Sequence, residues 1–367
     1  MASLTFNGVW KRYDQVEAVK NMDLEIKDGE FLCLLGPSGC GKSSSLRMIA
    51  GLEFISEGDI TLGGQRINDV EPRHRDIAMV FESYALYPQK TVYENMANPL
   101  RLRKASKDEI ERRVREAARI LEIERLLDRK PSQLSGGQKQ RVAIGRVLVR
   151  EPKAFLFDEP IAHLDAKLRA RMRGELKHIQ RTLGTTTVYV THDQLEGMSM
   201  ADRMAIMRDG VLQQVGTPHE VFSRPTNLWV ATFVGDPPMN VLPGELRSEG
   251  DRLSVHGEGF SVDVPSHKVA AVTGATLTDR KIVVGVRPEA LLLSSVQDAL
   301  NPVAGHVYSV QPLGDVEIVE VVVGSARVLV RAELGTILNE DIDAPVFLGF
   351  RANKLHFFEP ESGLALY

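Results

Sequence analysis

An apolar run, Phe31-Leu32-Cys33-Leu34-Leu35, leads directly into Gly36-Pro37-Ser38-Gly39-Cys40-Gly41-Lys42-Ser43-Ser44. The order is strand, then the spacing GxxxxGK[ST], then helix, and it constrains this chain more than any other feature. Glycines allow the backbone to curl so that several N–H groups converge on one point, and the following helix adds its positive N-terminal end. Such a cradle holds phosphate oxygens. The Lys42 ammonium reaches the outer phosphates, and the Ser43 hydroxyl is placed to ligate Mg²⁺. Gly36 to Ser44 are therefore the expected phosphate-binding residues of a nucleotide site, with Lys42 also a catalytic candidate.

A second run supplies the complement. Ala154-Phe155-Leu156-Phe157 ends in Asp158-Glu159, which puts Asp158 near the Mg²⁺ shell and Glu159 where it can accept a proton from attacking water. An acidic pair after a strand is by itself usually a solvated strand end; the earlier loop makes it half of a nucleotide site. The runs Thr187-Val188-Tyr189-Val190 and Met204-Ala205-Ile206-Met207 also read as strands buried on both faces. Amphipathic helices lie between the strands. Ile110, Val114, Ala118 and Leu121 share one helical stripe, and Leu164, Leu168, Met172, Leu176, Ile179 and Leu183 share another. Both stripes read as core. Strands alternating with helices imply a mostly parallel α/β sheet over residues 1–235.

The pattern changes at Gly235-Asp236-Pro237-Pro238. Beyond it, β-branched runs such as Ile282-Val283-Val284, Val319-Glu320-Val321-Val322-Val323, Val328-Leu329-Val330 and Pro345-Val346-Phe347-Leu348 are closely punctuated by Gly and Asp. Residues 236–367 are expected to form a small antiparallel barrel or sandwich. A chain of 367 residues exceeds one ordinary core, consistent with two domains. No apolar run approaches the roughly 18–20 residues that span a bilayer, and MASLTFNGVWKRY lacks the apolar core of a signal peptide. Any membrane association is expected through a protein partner. Two cysteines, one in a strand and one in the glycine loop, do not suggest a disulfide. A net charge of -4 gives no general electrostatic reason to bind nucleic acid.

Leu134-Ser135-Gly136-Gly137-Gln138 precedes the helical run Lys139–Arg146 and makes a second anion-binding corner. One chain already has its phosphate loop, so a second corner suggests a nucleotide held between two subunits. LSGGQ, standing between the two nucleotide motifs, resembles the signature of ABC ATPases. In that family two copies pack head to tail, and each signature covers the partner's ATP. The resemblance implies an α/β P-loop ATPase with a helical subdomain at about 83–150, where residues around 83–134 receive a coupling helix from each membrane subunit.

Further residues take their expected roles from this resemblance. Tyr13 resembles the aromatic that stacks on adenine, although alone it would read as a core tyrosine. Asp165 looks like the acid that communicates between paired sites. His192 resembles the switch histidine that senses the γ-phosphate, although a lone histidine after a strand is more often structural. Ser135, Gly136, Gly137, Gln138 and Asp165 become contacts to the partner's ATP. SYALYP at Ser83–Pro88 and LDAKLR at Leu164–Arg169 are like the sugar and glycerol-phosphate importer ATPases related to the maltose system. Val286-Arg287-Pro288-Glu289, Pro312-Leu313-Gly314-Asp315 and Leu355-His356-Phe357-Phe358 resemble their C-terminal OB-type, TOBE-like regulatory domain. Implied partners are a second ATPase subunit, two transmembrane permease subunits and, indirectly, an extracytoplasmic solute-binding protein. The implied location is peripheral, on the cytoplasmic face of the inner membrane.

Two positions depart from the family pattern. Glu82 stands where Gln is usual; it can still ligate Mg²⁺, but it adds negative charge near the γ-phosphate and removes an amide donor. Both a tolerated variant and an impaired site are open. Ile161-Ala162-His163 replaces the usual Leu-Ser-Asn, which suggests pairing with a second, non-identical ATPase subunit. Two other classes compete. A DNA-repair ABC ATPase would need a long coiled-coil insertion before the signature, and only a modest helical segment is present. An OB domain binding nucleic acid would need a basic stripe with interleaved aromatics, which residues 236–367 lack.

Overall fold

The computed structural model describes residues 2–81, 84–150, 152–250, 252–275, 277–297, 302–337 and 342–367. The chain divides into two compact units, Met1–His219 and Glu220–Tyr367. The turn-rich stretch Gly235–Pro238 lies inside the second unit.

In the first unit the strands are β1 (Leu4–Tyr13), β2 (Val16–Ile26), β3 (Phe31–Leu35), β4 (Glu57–Leu62), β5 (Gln65–Arg66), β6 (Ile77–Val80), β7 (Ala154–Asp158), β8 (Thr186–Thr191), β9 (Arg203–Arg208) and β10 (Val211–Gly216). Six of them form a sheet in the order β10-β9-β3-β8-β7-β6, parallel from β9 to β6 and closed by an antiparallel β10. Every residue of β3, β7 and β8 is buried. Strands covered on both faces need continuous apolar runs, which is why these read clearly in sequence.

The other four strands form an antiparallel sheet in the order β2-β1-β4-β5, an addition to the expected parallel sheet. Its strands carry charged residues on one face and are interrupted by register shifts, so no apolar run announces them. Leu4 and Phe6 of β1, Leu32 and Leu34 of β3, and Val188 and Val190 of β8 share one buried cluster.

The helices of this unit are α1 (Lys42–Ala50), α2 (Val92–Leu102), α3 (Lys107–Ile120), α4 (Gly136–Leu148), α5 (Ala166–Leu183) and α6 (Gln194–Met200). Helix α2 packs on α3 and α4, and its start is a capping box between Thr91 and Glu94. Ile110, Val114, Ala118 and Leu121 are all buried, as core. The second stripe is less uniform. Leu164, Met172, Leu176 and Ile179 are buried, whereas Leu183, the last residue of α5, is 40% exposed. Spacing alone does not show where a helix runs off its support.

The second unit contains two antiparallel five-stranded sheets around a common core. One orders Phe260–Asp263, Arg252–Gly257, Asn240–Glu249, Lys281–Val286 and His356–Phe358; the other orders Leu291–Ser294, Pro345–Phe350, Val303–Pro312, Val316–Val323 and Ala326–Glu333. Among the described residues no helix is long and apolar enough to cross a membrane.

Candidate nucleotide site

Pairing of Leu35 with Thr191 and of Asp158 with Val190 sets the carboxyl ends of β3, β8 and β7 at one level of the sheet. Parallel α/β sheets bind ligands at that edge. The glycine loop leaves β3, Asp158 closes β7, and His192 follows β8.

The loop's shape depends on two glycines in particular. Gly41 caps α1 with φ +103°, and a Cβ there would stand 2.3 Å from the Ala18 carbonyl oxygen. A Cβ on Gly36 would stand 2.3 Å from the Met207 carbonyl oxygen. No larger residue fits either position. Pro37, Ser38 and Gly39 are exposed, while Cys40 is buried and Ser43 and Ser44 are half-buried. Cys33 and Cys40 are both free thiols. Burial pushes the Cys40 thiol upward, against the opposing pull of Lys42.

The Lys42 ammonium is buried and donates to the carbonyl oxygens of Gly36 at 2.8 Å and Pro37 at 2.9 Å. Its charge therefore sits inside the curl of the loop. The Ser43 hydroxyl donates to Asp158 Oδ1 at 2.9 Å. Asp158 is 5% exposed, so a serine hydroxyl and a buried carboxylate meet at one point. Among the described residues no three carboxylate, histidine or cysteine side chains gather to hold a metal by themselves. A site of one hydroxyl and one carboxylate suits Mg²⁺, which takes few protein oxygens and completes its shell with water and phosphate.

Glu159 has φ +46°, a left-handed conformation uncommon for a side-chain-bearing residue. Its N–H donates to the Val190 carbonyl at 3.0 Å, which anchors the turn. The turn delivers its carboxylate to within 3.0 Å of His192 Nδ1. An ionised carboxylate can only accept, so Nδ1–H is the donor and Nε2 is left on the other edge of the ring.

Tyr13 ends β1 with its hydroxyl donating to the Glu53 carboxylate and 3.1 Å from the Ser44 hydroxyl. The Lys11 ammonium lies over the ring, 4.4 Å from its centroid. Partial burial, followed by the Glu53 hydrogen bond, raises the phenol above its ordinary range. Glu53 as an anchor for Tyr13 was not apparent from sequence, because nothing local marks a partner so far along the chain.

The second corner is built as its residues suggest. Ser135 caps α4, its hydroxyl accepting from the Gln138 N–H at 3.3 Å while Gln138 Oε1 accepts from the Ser135 N–H at 3.0 Å. Ser135 and Gly136 are exposed. A Cβ on Gly137 would reach Leu164 at 3.0 Å and Leu168 at 3.2 Å, so this corner packs on the Asp165 segment. Asp165 is exposed and caps α5 by accepting from the Leu168 N–H at 2.9 Å. Of the departing triplet, Ile161 is fully buried and His163 is exposed. Glu82 lies outside the described residues.

Residues 19–162 match the family described as ABC transporter, residues 235–291 the MalK OB fold domain and residues 284–358 the TOBE domain. The chain is 47% identical to a trehalose/maltose import ATP-binding protein of Thermococcus litoralis, with 100% of both chains covered. It is 45% identical to an sn-glycerol-3-phosphate import ATP-binding protein of Bordetella avium, over 99% of this chain and 98% of the relative. Among solved structures, it resembles the dimeric ATP-binding cassette MJ0796 in a post-hydrolysis state bound to ADP and Pi. That match has 34% identity and a TM-score of 0.55, and covers 59% of this chain and 98% of the cassette. A phosphate loop, an acidic strand end and a capped signature helix, joined to full-length similarity, place this chain in the family of ABC transporter ATP-binding proteins, ATPases whose turnover is coupled to transport.

Proposed function

We propose that this chain energises uptake of a sugar, polyol or glycerol-phosphate-type solute through two transmembrane subunits, bound peripherally at the cytoplasmic face of the inner membrane. The solute class rests on the relatives, whose names specify trehalose/maltose and sn-glycerol-3-phosphate import. The observation that carries the enzymatic reading is the Glu159–His192 contact of 3.0 Å beside the Ser43–Asp158 pair.

In this reading the N–H groups of Gly36–Ser44 hold the phosphates and Lys42 neutralises their charge. Mg²⁺, held by Ser43 and Asp158, would screen the phosphate oxygens; Glu82 is the third proposed ligand. Glu159 accepts the proton of the attacking water, and His192 holds the carboxylate in place while offering Nε2 towards the γ-phosphate. Adenine stacks on the Tyr13 face opposite Lys11. Ser135, Gly136, Gly137, Gln138 and Asp165 cover the partner's nucleotide. Closure of two such subunits over nucleotide supplies the work by favouring the closed state. An extracytoplasmic binding protein would deliver the solute.

The test is Glu159→Gln, which should bind ATP without consuming it. The mass of that variant in solution is measured with and without Mg-ATP. A nucleotide-dependent dimer means that this chain builds both composite sites alone. A monomer that still binds ATP points to a non-identical partner subunit, as Ile161–His163 suggested, or to a closure defect at Glu82. Adding Glu82→Gln separates these. Wild-type turnover in Glu159→Gln overturns the assignment of the base.

A further inference from the structure

Arg169 lies in the first turn of α5 and spreads its guanidinium between two loops. Nη2 donates to the carbonyl oxygens of Leu164 at 3.1 Å and Ala162 at 3.3 Å. Nη1 donates to Asp193 Oδ2 at 3.1 Å. Asp193 directly follows His192. Its other oxygen accepts from the Leu195 N–H at 2.8 Å, and its own N–H donates to the Thr191 hydroxyl at 3.0 Å. Both neighbours of His192 are thereby held.

These bonds close a ring. From Glu159 the chain runs through Ala162 and Leu164, crosses Arg169 to Asp193, steps back to His192, and returns to Glu159 through the 3.0 Å contact. Asp165, next to Leu164, is exposed, and in the function proposed above it faces the partner subunit. A planar guanidinium, with N–H groups splayed on two separate nitrogens, can reach two carbonyls on one loop and a carboxylate on another at once. Both ionic partners are partly exposed, with side-chain exposures of 31% for Arg169 and 22% for Asp193, so the ion pair alone stabilises the fold little. Arg169 Nε is also buried without an acceptor among the described residues.

We propose that Arg169 is a positioning residue that ties the partner-facing Asp165 segment to the Glu159–His192 pair, so that a shift at the subunit interface moves the hydrolytic pair. The proposal rests on the function proposed above. Arg169 acts through the residues it holds.

Steady-state ATP hydrolysis by the full chain tests this with Arg169→Lys, Arg169→Met, Asp193→Asn and the Arg169→Met/Asp193→Asn double variant. Misplacement of a catalytic group by about 1 Å costs up to about 100-fold in rate, so kcat should fall about 10- to 100-fold in either Arg169 variant. The ATP KM should stay within about threefold. Because both residues belong to one ring, the double variant should be no slower than the slower single variant. The proposal is overturned if folded Arg169→Lys and Arg169→Met keep wild-type kcat, or if the Arg169 and Asp193 losses multiply. Should Arg169→Met fail to fold, Arg169→Lys decides, since it keeps the charge and loses only the fork. A wild-type chain inert towards Mg-ATP, or a Glu159→Gln variant with full turnover, would instead overturn the underlying function.

Discussion

Ser43 and Asp158 are 115 residues apart in the chain and joined by a hydrogen bond of 2.9 Å from hydroxyl to carboxylate. Their meeting follows from strand order. β3 and β7 flank β8, all three are parallel, and their carboxyl ends align, so the helix after one strand meets the last residue of the other. The junction is therefore a property of the sheet, and it concentrates two hard oxygen donors beside the glycine loop.

Asp158→Asn keeps the shape of this junction and removes its charge. Mg²⁺-dependent ATP turnover should fall about 100-fold, the scale seen when one preorganised polar group of a catalytic site is lost. Ser43→Ala should lose less, because water can replace a hydroxyl ligand. Turnover measured across a Mg²⁺ titration checks both, and an unchanged half-saturating Mg²⁺ concentration in Asp158→Asn would remove this residue from the metal site.

Gly41→Ala and Gly39→Ala separate backbone strain from steric clash within one loop. Both positions have left-handed φ, +103° and +80°, but only Gly41 has a carbonyl oxygen 2.3 Å from where a Cβ would stand; Gly39 faces open space. Gly39→Ala should cost about 1 kcal/mol. Gly41→Ala adds overpacking, for a total of about 2–4 kcal/mol. Chemical denaturation of the two variants should resolve the difference, and equal losses would mean that the loop shifts to make room.

Ser135→Ala removes one half of a helix-capping pair. The structural loss should be modest, about 1 kcal/mol, because Gln138 and solvent still serve the exposed helix start. If the corner covers a partner's nucleotide, nucleotide-dependent dimerisation should fall far more than stability does. Thermal melting and solution mass on the same sample distinguish the two effects, and a parallel decline of both would make Ser135 a cap and nothing more.

His356 makes the second unit sensitive to acid. Burial, with added repulsion from Lys268, Arg287 and Lys354, pushes its imidazole down to about 3 from an ordinary 6.5. The folded state thus keeps His356 neutral where an unfolded chain would protonate it. Its contribution is fully present above pH about 6.5 and is lost progressively as pH falls towards about 3, by roughly 3–5 kcal/mol at most. Strand Lys281–Val286 pairs with the His356 strand through Gly285. Hydrogen exchange in that strand should accelerate between pH 7 and pH 4 beyond the intrinsic trend, and His356→Phe should flatten the response. An unchanged pH profile in His356→Phe would show that other groups control the acid sensitivity.

Much of the site was legible before any tertiary information. The phosphate loop, the Asp158-Glu159 strand end and the Ser135–Gln138 helix start are local motifs, and local spacing is enough to build a turn or a cap. Strands β3, β7 and β8 were legible because burial on both faces demands unbroken apolar runs. The β1, β2, β4 and β5 sheet was not, since it mixes buried with exposed residues and register shifts in the pairings of β1 break the alternation. The left-handed turn at Glu159 had no signal either, because glutamate seldom adopts it and its bond to Val190, distant in the chain, helps to hold it there.

By itself the sequence determined where the glycine loop leaves its strand, which strand ends in acid, and which helix begins at a serine. These depend on residues a few positions apart, whose geometry the backbone sets. Only the tertiary structure decided that Ser43 reaches Asp158, that Glu159 faces His192, and that Arg169 joins the two loops behind them. The contacts Ser43–Asp158, Glu159–His192 and Arg169–Asp193 span 115, 33 and 24 residues, and they exist because parallel strand order brings three chain segments to one edge of a sheet.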